Sequence, residues 1–171
     1  AQNENPDALC LLVNMGERAI HIQCVQAVVT MQSGEIYELG VTQFKRVNVM
    51  EQTLRQGPLL NGGYLVLGTF RDIIENAEAA KGEAIVLEQV ETLELRAAAI
   101  HAPSKHPVGA RRGFKLKHDG GSCIFPKQIS TEQMGNRKQQ KEVINWIETE
   151  LNPVNHPTDR DDQEKPKEPN P

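Results

Sequence analysis

The chain has 171 residues, of which 38% are hydrophobic but only 4% are aromatic, and its formal net charge at pH 7 is −4. This length fits one domain with an aliphatic core, with a subdivision near 57–63 left open. No apolar run approaches the roughly 20 residues that a membrane-spanning helix needs, so we predict no membrane span. The first residues, AQNENPDA, lack the basic and apolar regions of a signal peptide. We therefore expect a cytoplasmic protein, and a secreted mature form stays open.

The cysteines are three in number, Cys10, Cys24 and Cys123. A small, odd number argues against a disulfide framework and favours a reducing compartment. Their neighbours in sequence are apolar, which predicts buried thiols that pack as small hydrophobic side chains.

The charges are distributed unevenly along the chain. Residues 1–100 carry seven Lys or Arg and thirteen Asp or Glu, a balance of −6, whereas residues 101–151 carry nine and five, a balance of +4. Residues 152–171 carry three and five, a balance of −2. A change of sign between regions of one chain indicates a charged partner, because local fields guide encounter more than total charge does.

The first third of the chain reads as antiparallel β-structure. We predict a flexible tail over 1–7, followed by a β-meander over 8–39. Apolar side chains alternate from Ile20 to Cys24 and then continue on the other parity from Val25, so the second strand needs a bulge or a break near 24–25.

A helix is predicted next. Thr42 is a candidate cap, and Gly57-Pro58 is a stop signal. Between them, apolar side chains recur with helical spacing at Phe44, Val47, Met50 and Leu54.

The stretch YLVLGTFRDIIENAEAAKGEAIVLE predicts a strand, a helix and another strand. Thr69 and Asp72 form a candidate capping pair at the start of this helix, and Gly82 can end it. The unit is near the short limit for a parallel crossover, so an antiparallel arrangement stays open. Residues 86–100 suit a strand or a helix, and we favour the strand.

Beyond residue 101, we predict a loop from Ala102 to about Gly113 and then the clearest hairpin of the chain. In GFKLKHDGGSCIFP, Phe114 and Leu116 point one way and the intervening lysines the other. Asp119-Gly120-Gly121 supplies turn residues that tolerate positive φ, and Pro126 ends the return strand.

The last predicted element is an amphipathic helix. Asn136 can cap it, and an apolar face is formed by Val143, Ile144, Ile147 and Leu151. The hairpin and this helix, which bears Trp146, together resemble the end of a pleckstrin-homology-like module over less than a third of the chain; no specific motif is included, and we assign no family from it. The Pro-rich, charged residues 152–171 are predicted to be disordered. The fold prediction is a single α+β domain over 8–151, mainly antiparallel β-sheet with about three helices.

No catalytic or metal-binding motif is present, so we predict no enzyme, metal or cofactor. Cysteine pairs and histidine pairs at ligand spacing are lacking, as are a phosphate-binding loop and a nucleophile elbow. The remaining candidates for chemistry are an anion site at Gly68-Thr69 and a nucleophile at Cys123 with His118 or His106.

The candidate binding site is therefore the basic segment of residues 105–118 and its neighbour on the return strand. Its members are Lys105, Arg111, Arg112, Lys115, Lys117 and Lys127. Such a cluster suits phosphate contacts, although lysines on the wet face of a hairpin also protect an edge strand from aggregation.

Three functions follow from these features. The first is a non-enzymatic interaction or assembly protein that binds another protein, or self-associates through its acidic body and basic hairpin. The second is a nucleic-acid-binding accessory protein that uses the basic segment. The third is a small enzyme or anion-binding protein with its site near Gly68-Thr69 or His118-Cys123.

Overall fold

A computed structural model describes residues 4–41, 58–76, 84–101 and 106–151. The helix predicted from Thr42, the basic residue Lys105 and the Pro-rich segment 152–171 lie outside the described residues. Within the described ranges, no helix is long and apolar enough to cross a membrane.

Antiparallel β-sheet dominates the fold, as predicted. The main sheet has the order β3-β2-β6-β7-β8, with β4 paired to β2 and β9 paired to β7, and a separate sheet is formed by β1 and β5. The strands are β1 (Leu9–Val13), β2 (Ile20–Met31), β3 (Ile36–Gly40), β4 (Pro58–Leu59), β5 (Tyr64–Thr69), β6 (Val90–His101), β7 (Pro107–Lys117), β8 (Cys123–Pro126) and β9 (Glu132–Met134).

The predicted meander over 8–39 is correct for one hairpin only. β2 pairs with β3, but β1 pairs with β5 and not with β2. The reason is that the apolar inner side of β1, which includes buried Cys10, packs over the main sheet as part of a second layer.

The predicted irregularity in β2 is present. The register against β6 shifts between Ile22 and Cys24, which is the signature of a bulge. As a result Ile22 and Val25 both contribute to the main core, while Cys24 belongs to a smaller cluster on the other side of the sheet.

The loop predicted from Ala102 to Gly113 is wrong from Pro107 onward. Residues Pro107–Lys117 form one continuous strand, paired with β6 from Ile100 to Thr92. Pro107 is tolerated because it is the first residue of the strand. Gly109 allows the side chain of Val143 to pack closely on the strand, since a Cβ at this position would lie 2.6 Å from Val143 Cγ2. The glycine is therefore explained by packing and not by flexibility.

Two helices occur among the described residues, compared with about three predicted: α1 (Phe70–Glu75) and α2 (Arg137–Leu151). The capping pair at the start of α1 is confirmed, because the Asp72 amide donates to Thr69 Oγ1 and the Thr69 amide donates to the Asp72 carboxylate. The strand predicted directly after this helix is instead a 3₁₀ turn at Leu87–Gln89 that leads into β6.

The long helix α2 covers one face of the main sheet. Val143 and Trp146 are buried against Cys24, Ala98 and Met134. We call this side of the sheet the outer face, and the side that faces the β1–β5 sheet the inner face. The larger hydrophobic core lies on the inner face, so the main sheet is covered on both sides.

Residues predicted to be a tail also contact the body. The Ile124 amide donates to the Glu4 carbonyl at 2.8 Å, and Arg71 forms a 2.6 Å ion pair with Asp7. Residues 4–7 therefore run beside β8 and α1.

Candidate functional site

The basic side chains of the predicted site do not share one surface. Side chains alternate along β7, so the odd-numbered positions face outward and the even-numbered positions face inward. Gly109 packs under α2 on the outer face, and Leu116 packs in the inner core. Arg111 consequently points outward and Arg112 inward, although the two residues are consecutive.

Arg111 is held by two carboxylates on the outer face. Its Nε donates to Glu132 at 2.6 Å and its Nη1 donates to Glu142 at 3.0 Å. The hydrogen bond to Glu132 raises the pKa of the guanidinium, and the same contact lowers the pKa of Glu132. Arg111 thus ties β9 and α2 to β7, which is a structural use of its charge.

The lysines of the predicted site lie on the outer face, away from α2. Lys115, Lys117 and Lys127 are exposed. Phe125 is paired with Lys115 across the strands, and Lys117 Nζ lies 5.3 Å from the centroid of its ring. Because Phe125 is the cross-strand partner of Lys115, the alternation of β8 puts its ring on the same face as the lysines.

Arg112 is in a different environment on the inner face. Its Nε is buried and has no hydrogen-bond partner. Its guanidinium carbon lies 5.8 Å from the centroid of the Phe114 ring. No carboxylate lies within ion-pair distance of Arg112 among the residues that the structure describes.

Arg112 lines a cavity of about 360 Å³ between the two sheets. The cavity is bounded by β1 on one side and by β6, β7 and β8 on the other, and its wall is mainly apolar, including Leu12, Val25, Leu67, Phe114 and Ile124. Cys10 also lines it. Burial raises the pKa of this thiol to about 11, against a smaller lowering by Arg112, so the thiol is neutral at physiological pH.

A second unusual surface is the outward side of the β1–β5 sheet. Leu11 is directly opposite Val66, and Val13 is opposite Tyr64. With Leu9, these side chains make a row of five exposed apolar residues, of which Leu9 and Tyr64 are 62% and 63% exposed. Neither β1 nor β5 contains a charged residue. A clustered apolar surface of this kind is typical of an interaction site.

The remaining candidates have local structural uses. Both ring nitrogens of His118 are occupied, Nδ1 by Ser122 Oγ at 2.9 Å and Nε2 by the Val90 carbonyl at 2.8 Å. Cys123 is half-buried and lies on the outer face opposite Lys117. At Gly68-Thr69, the carboxylate of Asp72 already occupies the Thr69 amide. No cluster of potential metal ligands occurs in the ranges the structure covers.

Comparison with known proteins adds no family to these observations. No protein-family model matches the chain, and neither a curated protein nor a solved structure is similar to it. Functional inference therefore rests on the surfaces and the cavity themselves.

Proposed function

We propose that the protein is a non-enzymatic interaction protein that forms a homodimer through the apolar face of its β1–β5 sheet. The observation that carries this proposal is the row of five exposed apolar side chains: Leu9, Leu11, Val13, Tyr64 and Val66. In a two-fold dimer each copy presents the same patch to the other. A patch without charge suits this arrangement, because no like charges are brought together.

Arg111 and Arg112 contribute less to association than the sequence predicts for the basic segment. Arg111 already has two carboxylate partners within the chain, and Arg112 faces the inner cavity. The exposed lysines remain available to an acidic partner surface. We therefore assign the main driving force to apolar burial, with a charged contact between basic hairpin and acidic body as a smaller contribution.

The dimer is tested by the mass of the protein in solution. We expect sedimentation equilibrium to give a dimer at concentrations of tens of micromolar, and Leu11→Lys to shift the mass to that of a monomer. Ile36→Lys is the matched control, because Ile36 is also an exposed strand residue, 58% accessible, but lies on β3. High salt should leave the dimer intact, since apolar association is not screened.

Two outcomes would contradict the proposal. One is a wild-type protein that stays monomeric at about 1 mM, well above the concentrations at which a specific apolar interface associates. The other is a dimer that survives Leu11→Lys but dissociates in salt, which would assign association to the basic hairpin and the acidic body.

A second function, nucleic-acid binding, is favoured by one observation, the placement of Phe125 among Lys115, Lys117 and Lys127. An aromatic ring can stack on a base while the lysines contact phosphates. We expect Phe125→Ala and a Lys117→Ala/Lys127→Ala double variant to reduce retention of single-stranded DNA at low salt. A Lys138→Ala/Lys141→Ala variant removes the same charge from α2 and is the control. Absence of retention by the wild type would eliminate this function.

A further inference from the structure

We propose that the cavity between the two sheets binds a small amphipathic carboxylate, with the ligand's carboxylate on the guanidinium of Arg112 and its hydrocarbon body against the apolar wall. This site adjoins the dimer surface, since Leu9 and Leu11 border the cavity as well, but the support for it does not depend on dimerisation.

The first support is the uncompensated charge of Arg112. An arginine is always protonated. Arg112 is partly exposed, but its Nε is buried, and a buried polar group without a hydrogen-bond partner is costly. In the described part of the chain, its Nε lacks an acceptor and no acidic side chain is within ion-pair distance. The neutral thiol of Cys10 cannot supply the missing negative charge. An anionic ligand would complete the hydrogen bonding of this guanidinium.

The second support is a comparison with the other arginines of the same sheet. Arg96 donates to Glu94 at 2.7 Å and lies 3.4 Å from Glu38, and Arg111 is bound by Glu132 and Glu142. The two outward-facing arginines are therefore neutralised by two carboxylates each. Arg112 is the inward-facing arginine on these strands. It borders the cavity and has no carboxylate partner among the described residues.

The third support is the chemistry of the cavity wall, which selects the rest of the ligand. A volume of about 360 Å³ is at the small end of the range for small-molecule sites. Arg96 and Arg111 also border the cavity, but their guanidinium groups are already bound by carboxylates. The rest of the wall is mainly aliphatic and aromatic, including Leu67, Phe70 and Ile124. One cation without a carboxylate partner beside a mainly apolar wall matches a single carboxylate on a short hydrocarbon chain. Inorganic phosphate could contact Arg112 but would leave the apolar wall of the cavity without an apolar group to pack against it.

The proposal is tested by calorimetric titration of the full chain with octanoate, 1-octanol and inorganic phosphate. We expect one octanoate per chain, and binding of 1-octanol weaker by roughly 10- to 100-fold, which is the worth of a charge-assisted hydrogen bond. Arg112→Met should reduce the affinity for octanoate by a similar factor and leave that for 1-octanol unchanged. Lys115→Met, which removes a positive charge from the same strand at a residue that does not line the cavity, should bind octanoate like the wild type.

A second measurement does not depend on the folding of a variant. The Nε–H group of Arg112 is buried, so its nitrogen–proton NMR signal should be protected from exchange and should shift when octanoate is added, but not when 1-octanol is added. The signal is identified by its loss in Arg112→Lys.

Three results would overturn the proposal. They are equal affinity for octanoate and 1-octanol, an unchanged Arg112 signal at saturating octanoate, and no octanoate binding at millimolar concentration. Binding of phosphate as tightly as octanoate would also overturn it, because the apolar wall would then contribute nothing.

Discussion

Consecutive residues of β7 lie in opposite environments on its two faces. On the outer face, Arg111 is fixed by carboxylates from β9 and α2, and Gly109 allows α2 to approach the sheet. On the inner face, Arg112 has a buried Nε without an acceptor and borders a cavity. One face is closed by a helix with matched charges, and the other keeps a cavity and an unmatched charge. Charged residues that are neighbours in sequence therefore need not act together, because consecutive side chains of a strand point to opposite faces of the sheet.

The largest expected effect concerns the thiols on these two sides of the main sheet. Burial raises the pKa of Cys10, on the inner side, to about 11 and that of Cys24, under α2, to about 12. Above about pH 9 the unfolded chain ionises these thiols while the folded chain does not, so stability falls as pH rises through this window. For Cys10 the loss is on the order of 2 kcal/mol at pH 11, at about 1.4 kcal/mol per pKa unit.

The measurement is urea unfolding between pH 8 and pH 11, which compares the pH slopes of the wild type, Cys10→Ala and Cys24→Ala. We expect each substitution to make the slope shallower. Arg112→Met should increase the loss of stability that Cys10 causes at high pH, because Arg112 lowers the pKa of this thiol. Equal slopes in all variants would show that neither thiol is shielded from water.

The next effect tests how tightly the outer face is closed. Gly109→Ala would place a Cβ 2.6 Å from Val143 Cγ2 and 3.2 Å from Trp146 Cζ3, which forces α2 away from the sheet. We expect a loss of about 2 kcal/mol in the free energy of unfolding. Gly113→Ala is the control on the same strand and face, because its Cβ would meet two flexible side chains, Lys127 at 3.1 Å and Gln128 at 3.6 Å. Equal costs at the two positions would contradict close packing by α2.

The smallest effect compares the two arginines directly in the absence of ligand. Arg111→Met removes ion pairs that are partly exposed, so we expect a loss of about 1 kcal/mol. Arg112→Met replaces an unpaired charge by a thioether of similar length, so we expect no loss or a gain of about 1 kcal/mol. Denaturant unfolding at pH 7 measures both. A larger loss for Arg112→Met would indicate that the chain itself supplies a partner for this charge.

Local signals in the sequence were sufficient for several elements. The hairpin from Gly113 to Pro126, the capping pair of Thr69 and Asp72, and the last helix follow from alternation, turn residues and helical spacing. Each of these depends on residues close together in the chain. The partner of β1 could not be predicted, because β5 lies far along the sequence and no local pattern distinguishes it from β2.

The cavity was missed because glycine and proline made 107–113 look like a loop. Extending the alternation of Phe114 and Leu116 backwards by one step places Arg112 on the inner side, so its orientation was available from the sequence. The absence of a partner for that arginine was not available, because it depends on how β1 lies over β7. The exposed apolar face likewise requires knowing which sides of β1 and β5 are covered.

The central pairing of the main sheet has a consequence for how the chain folds. β2 pairs along nearly its whole length with β6, which joins residues as distant in the chain as Val25 and Ala97, whereas β6 and β7 are neighbours in sequence. Long-range strand pairing requires a large loop to close before any contact compensates for the lost entropy. We therefore expect the β6–β7 hairpin to form early and the docking of β2 to limit the folding rate. Until β2 docks, one long edge of that hairpin is exposed to other chains, so folding at low protein concentration should give the higher yield.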